Sequence, residues 1–127
     1  MKREDWLKAV AEKVVGRIVD GELGRVYASR EYLHELYYIS REEGVSLDEY
    51  IRRAAAITSI ENLEFLETTF EIDLLALALM RQYGLRSIFD AYYAATALNQ
   101  VEDHTIISTD GVYDAIPSLI RIDPRNL

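Results

Sequence analysis

The chain has 127 residues, no cysteine, half of its residues hydrophobic and a net charge of −8. That length suits one domain with its own core, and the missing thiols exclude both a disulfide framework and a thiolate metal site. The negative balance speaks against a broad basic groove for nucleic acid. It is compatible with a site whose positive charge comes from metal ions, or with docking of a basic partner.

The opening MKREDWLKAV carries charge throughout, so it does not read as a signal peptide, and no run approaches the roughly 18 apolar residues of a membrane span. A cytoplasmic protein is expected. Trp6, Val10, Val14 and Ile18 recur every fourth residue, which predicts a helix stopping at Gly21. Residues 26–28 read as a short strand. Ser29 is expected to cap the next helix, whose inner face is Leu33, Leu36 and Tyr37 and which ends at Gly44. Ser46 and Glu49 form a capping box for a helix reaching Thr58. In 60–66, Leu63 and Phe65 alternate with Asn62 and Glu64, predicting an edge strand. Thr68 and Glu71 open a helix over 72–83, with Gly84 after it. Ser87 starts an Ala-rich helix ending near Asn99, followed by a β-branched strand over 104–108 and a last strand over 119–122. Strands alternating with helices predict a parallel sheet covered by helices on both faces, in a single domain without repeats or linkers.

The chemistry gathers in SIFDAYYAATALNQVEDHTIISTD, residues 87–110. In an α/β unit a helix runs from the carboxyl edge of the sheet to the amino edge, and the next strand returns. A helix of about 11 residues at roughly 1.5 Å each matches a strand of about five at roughly 3.3 Å each. Asp90 and Asp110 are therefore expected to meet at the carboxyl edge, where open α/β sheets bind ligands. Two carboxylates brought together need a cation or a retained proton, and an all-oxygen cluster suits Mg²⁺ or Mn²⁺.

Each aspartate also has a purely structural reading: Asp90 as the far end of a Ser87 capping box, Asp110 as a turn residue before Gly111. Glu35 lies about six residues into its helix. Helical side chains lean toward the N-terminus, so it could reach the same edge, although the residues alone favour a solvated position like that of Glu31. His34 and His104 lack an oriented partner and read as structural. Tyr92 and Tyr93 flank the site helix as packing residues. Asp114 fits equally an extension of the acidic cluster or a cap, and Asp73 and Asp123 look structural or solvated.

Asp90-x-x-x-Ala-Ala-Thr-Ala, the apolar run into Ser108-Thr109-Asp110, Tyr113-Asp114 and a final Ile122-Asp123-Pro124 together resemble the carboxyl half of a PIN domain. The variant most similar is that of VapC-type toxins of prokaryotic toxin–antitoxin pairs, and the likeness extends more weakly back to Trp6. The resemblance implies a three-layer α/β/α fold with a mostly parallel central sheet. It also implies a Mg²⁺- or Mn²⁺-dependent ribonuclease acting on RNA, with Glu35, Asp90 and Asp110 as catalytic metal ligands and Thr109 and Asp114 as supporting residues. An antitoxin peptide or protein and a homodimer are the implied partners.

The sequence departs from that family at its start. PIN domains begin with an apolar strand ending in an Asp, usually followed by Thr or Ser, whereas here Met1 falls directly before the first helix, and Asp5 has no apolar strand ahead of it. A fragment or misassigned start, a decayed member that retains only a partner-binding surface, and a fold that closes without the strand are three competing explanations. The departure implies weak or absent activity. It also leaves a second class open: a non-catalytic interaction protein using helices such as 31–39 as a groove.

Overall fold

The computed structural model describes residues 3–127, with side-chain surroundings from Ala9 onward; the Trp6 side chain, named above as the start of the first apolar stripe, lies outside the described residues. The elements follow in the order α1 (Arg3–Val19), β1 (Val26–Ser29), α2 (Glu31–Glu42), α3 (Leu47–Thr58), β2 (Leu63–Leu66), α4 (Phe70–Tyr83), α5 (Ile88–Gln100), β3 (Thr105–Ile107) and β4 (Ile120–Ile122). A 3₁₀ turn spans Gly111–Ala115 and another spans Pro124–Asn126.

Most boundaries follow from the capping chemistry expected of them. The Ser46 hydroxyl accepts from the Glu49 N–H at 3.2 Å, and the Ser87 hydroxyl from the Asp90 N–H at 3.4 Å. Helix α4 ends at Gly84, whose φ of 68° is the left-handed conformation that a residue with a Cβ resists. Two caps differ from expectation. Helix α4 is capped by Thr69, not Thr68, because the Thr68 hydroxyl instead donates to the Glu31 carboxylate at 2.7 Å. At the start of α2 the cap position is Arg30. Ser29 sits one residue earlier and accepts from the Glu31 N–H at 3.1 Å.

The sheet is where the structure adds most. Strand β1 pairs in parallel with β2, Val26 opposite Leu63 through Ser29 opposite Leu66. Strand β3 pairs in parallel with β4, Thr105 opposite Ile120 through Ile107 opposite Ile122. The two pairs stay separate sheets, so β1 and β3 do not close into one four-stranded ladder.

Among the described residues the fold is an α/β arrangement of five α-helices and short parallel strands. Its core lies to one side: Ile72, Ala76 and Leu79 of α4 meet Ala91, Ala94 and Ala95 of α5, with Tyr113, Ile116 and Leu119 closing the end. Alanines on α5 let α4 approach closely, and Ile72 is completely buried. Helix α3 buries no residue fully and is tied to α2 by the Tyr50 hydroxyl donating to the Leu33 carbonyl at 2.5 Å. No described helix is long and apolar enough to cross a membrane.

Candidate functional site

Three acids come from three separate elements. Asp90 is held in the first turn of α5 by the Ser87 cap, where a negative charge also interacts favourably with the helix dipole. Asp110 follows β3. Its N–H donates to the Ser108 hydroxyl at 3.0 Å, and its Oδ1 accepts from the Val112 N–H at 2.9 Å, capping the 3₁₀ turn. Glu35 lies in the second turn of α2. With Tyr93 and Tyr113, these acids line one cleft of about 1170 Å³ between β1 and β3.

Two tyrosines tie the site together. The Tyr93 hydroxyl donates to Glu35 Oε1 at 2.9 Å, joining α5 to α2. The Tyr113 hydroxyl donates to Asp90 Oδ1 at 3.3 Å, joining the 3₁₀ turn to α5. Each bond fixes one carboxylate oxygen and leaves the other for a ligand. Sequence reasoning gave Tyr93 a packing role and Tyr113 no contact with the acids. The available signal was spacing: Tyr93 lies three residues after Asp90, hence on the same helical face, and Tyr113 lies three after Asp110.

The electrostatics bind the acids to one another. Asp90 is raised above its ordinary value by burial first and then by the negative charge of Asp110, with a smaller push from Glu35 and a partial offset from the Tyr113 hydrogen bond. Burial, followed by the charge of Asp90, pushes the Tyr113 phenol up. Burial, followed by the Glu35 hydrogen bond, does the same to Tyr93. Both hydroxyls therefore stay protonated donors at neutral pH.

The carboxylates suit a hard divalent cation chemically, since all their donors are oxygen and their mutual repulsion falls when a cation enters. They do not form a ready cage: among the described residues, no group of three acids or histidines is drawn tightly enough to grip one ion. Glu35, Asp90 and Asp110 share a cleft and a field, and a bound ion would need them to close or water to bridge them.

The remaining candidates fall elsewhere. Thr109 lines a smaller adjoining hollow with Val10 and Val14 of α1. Asp114 accepts from Arg121 through both oxygens, at 2.9 and 3.0 Å, and that guanidinium holds its carboxyl below the usual range. His34 contacts Glu31 at 3.1 Å on the exposed face of α2. His104 has a φ of 53°, and its carbonyl accepts from the Ile120 N–H, a structural position before β3. Asp73 lies near the Tyr92 phenol and pushes it up. Asp123 is lowered to about 2 by hydrogen bonds from Arg125.

The family model described as PIN domain matches residues 2–118 of the chain. No curated protein matches it, and no solved structure does.

Proposed function

The chain belongs to the PIN domain family, and from that premise we propose that it is a metal-dependent ribonuclease of the VapC toxin type. Its substrate is RNA, and Glu35, Asp90 and Asp110 are the ligands for Mg²⁺ or Mn²⁺. The observation that carries this reading is the meeting of three acids from three elements along one cleft, with Asp90 raised by burial first and then by the charges of Asp110 and Glu35. When bound, the metal neutralises the phosphate and supplies an activated water for hydrolysis of the phosphodiester.

The chain's own residues prepare that site. Tyr113 and Tyr93 orient Asp90 and Glu35 through one oxygen each, and the Val112 N–H does the same for Asp110. The second oxygens supply the negative charge that a hard cation needs. Thr109, in the adjoining hollow, offers a hydroxyl for water or phosphate. Asp114 supports the segment before Asp110 through its ion pair with Arg121, which also donates to the Ser108 carbonyl. Three acids not drawn around one point, in a chain of net charge −8, predict weak cleavage. The protein acts in the cytoplasm, with an antitoxin peptide as a second partner.

A thermal titration tests the site. Mn²⁺ raises the melting temperature by mass action on the folded state, and Asp110→Asn abolishes the rise. Slow RNA cleavage that EDTA stops is the matching activity. An equal shift in both proteins, or cleavage indifferent to EDTA, refutes the assignment.

A non-catalytic interaction protein is the second reading. It draws on the exposed stripe of Phe70, Leu74 and Leu77 on α4, which are 87, 69 and 55% exposed at helical spacing. The occupant proposed for this stripe is the same stripe of a second copy, giving a homodimer. Sedimentation at micromolar concentration shows the dimer, and Leu74→Glu dissociates it. A monomer at that concentration removes the dimer, and failure to bind Mn²⁺ favours this class over the nuclease.

A further inference from the structure

One guanidinium grips both ends of the segment that carries Asp110. Arg121 stands in the middle of β4, opposite Ile106 of β3. Its Nε and Nη2 donate to Asp114 Oδ1 and Oδ2 at 2.9 and 3.0 Å, a two-pronged bond to the far part of the 3₁₀ turn. Its Nη1 donates to the Ser108 carbonyl at 3.1 Å, just past the end of β3. The same Nη1 lies 3.7 Å from Asp123 Oδ2. The Arg121 side chain is only 21% exposed, so these partners hold it in place of water.

Between the two gripped points the chain is bonded to itself around Asp110. The Ser108 N–H donates to the Ile122 carbonyl, its hydroxyl accepts from the Asp110 N–H, and Asp110 Oδ1 accepts from the Val112 N–H. Tyr113, next to Asp114, sends its hydroxyl to Asp90 Oδ1. Two of the three acids thus depend on residues 108–114: Asp110 directly, and Asp90 through Tyr113. Arg121 itself does not line the cleft, and none of its hydrogen bonds goes to Glu35, Asp90 or Asp110.

We propose that Arg121 is a positioning residue for the cation site, holding residues 108–114 so that Asp110 and Tyr113 keep their places at the cleft. The proposal rests on the metal-site reading above and deepens it. Arginine suits the task because its planar fork sets several N–H groups at fixed angles, two for one carboxylate and one for a carbonyl. A lysine ammonium has the charge without the fork. The positive charge alone works the other way, since a cation near a cation site repels the incoming ion. Asp114 and Asp123 offset that charge, which leaves the geometry as what Arg121 contributes. Groups that hold metal ligands from behind govern metal affinity in this manner.

The test is Mn²⁺ calorimetry on the full chain with Arg121→Lys and Arg121→Gln, joined to hydrogen exchange without metal. Both variants should bind Mn²⁺ about tenfold more weakly than the parent. Without metal, the Val112 amide should exchange faster in both, while the amides of α4 keep their parent rates. Asp114→Asn, which removes the charge and one acceptor, should weaken Mn²⁺ binding several-fold. Parent-like affinity in Arg121→Lys overturns the proposal, because the fork is then dispensable. Tighter binding by Arg121→Gln overturns it too, since charge is then the whole effect. So does faster exchange in α4 with unchanged Mn²⁺ affinity, which marks a role in stability alone. Mn²⁺ binding that survives Asp110→Asn refutes the metal-site reading itself. Binding lost in Asp110→Asn but intact in Arg121→Lys refutes only the role given to Arg121.

Discussion

Helices α4 and α5 close on each other without a gap, while α1, β1 and β3 surround a cleft of about 1170 Å³. On the closed side, Ile72, Ala76, Ala91, Ala94 and Ala95 are all 0% exposed. On the open side, Val14 and Ile106 are only half-buried. Helices satisfy their own backbone hydrogen bonds, so two of them can seal a core with side chains alone. A strand edge cannot, because its N–H and C=O groups need another strand or water. The acids sit where these two regimes meet. Asp90 stands on the packed helix and Asp110 at the cap of the 3₁₀ turn just past the strand that borders the cleft, so the site inherits one closed wall and one open one.

The largest expected effect breaks the comparison if it fails. Ile72→Ala should cost about 2–5 kcal/mol, because the sealed α4–α5 contact relaxes little around a cavity. Val14→Ala in the cleft should cost under about 1 kcal/mol, since its methyl groups already meet open space. Urea unfolding of both variants gives the difference, and equal losses would mean that the cleft is as tightly packed as the core.

A smaller effect sits on the boundary. Tyr113→Phe removes the hydroxyl that donates to Asp90. It should cost about 1 kcal/mol, because the bond is long and Asp90 is only half-buried. It should also raise the Asp90 pKa further, a shift that carboxyl titration by NMR would follow. An unmoved Asp90 would mean that this bond does not tune the site.

The smallest effect is a pH dependence. The Asp90 pKa is raised on folding above its ordinary 3.8. The folded state therefore holds that proton more tightly than the unfolded one. Its stabilising contribution is complete below about pH 3.8 and is lost as pH rises through the raised value. Without metal, Asp90→Asn should therefore melt higher than the parent at pH 7 and the same at pH 3. With Mn²⁺ at pH 7 the order should reverse. Matching melting curves at both pH values, metal-free, would show that Asp90 is not held under charge stress.

Sequence alone determined the α/β alternation, because capping residues, glycine stops and apolar periodicity are local signals. Ser46, Ser87 and Gly84 perform the roles that their neighbours in sequence dictate. It also pointed to Glu35, Asp90 and Asp110 as candidates, through spacing and resemblance, and the structure sets all three along one cleft. The split of the strands into two separate pairs was decided by tertiary structure, because strand pairing is a long-range choice that no local pattern encodes. The tyrosine bonds to Glu35 and Asp90 were decided in the same way, since they span 58 and 23 residues. Asp114 shows the converse. Its sequence position suited the acid cluster, but Arg121, seven residues on, satisfies both its oxygens, because β4 returns alongside β3 and carries that guanidinium within reach.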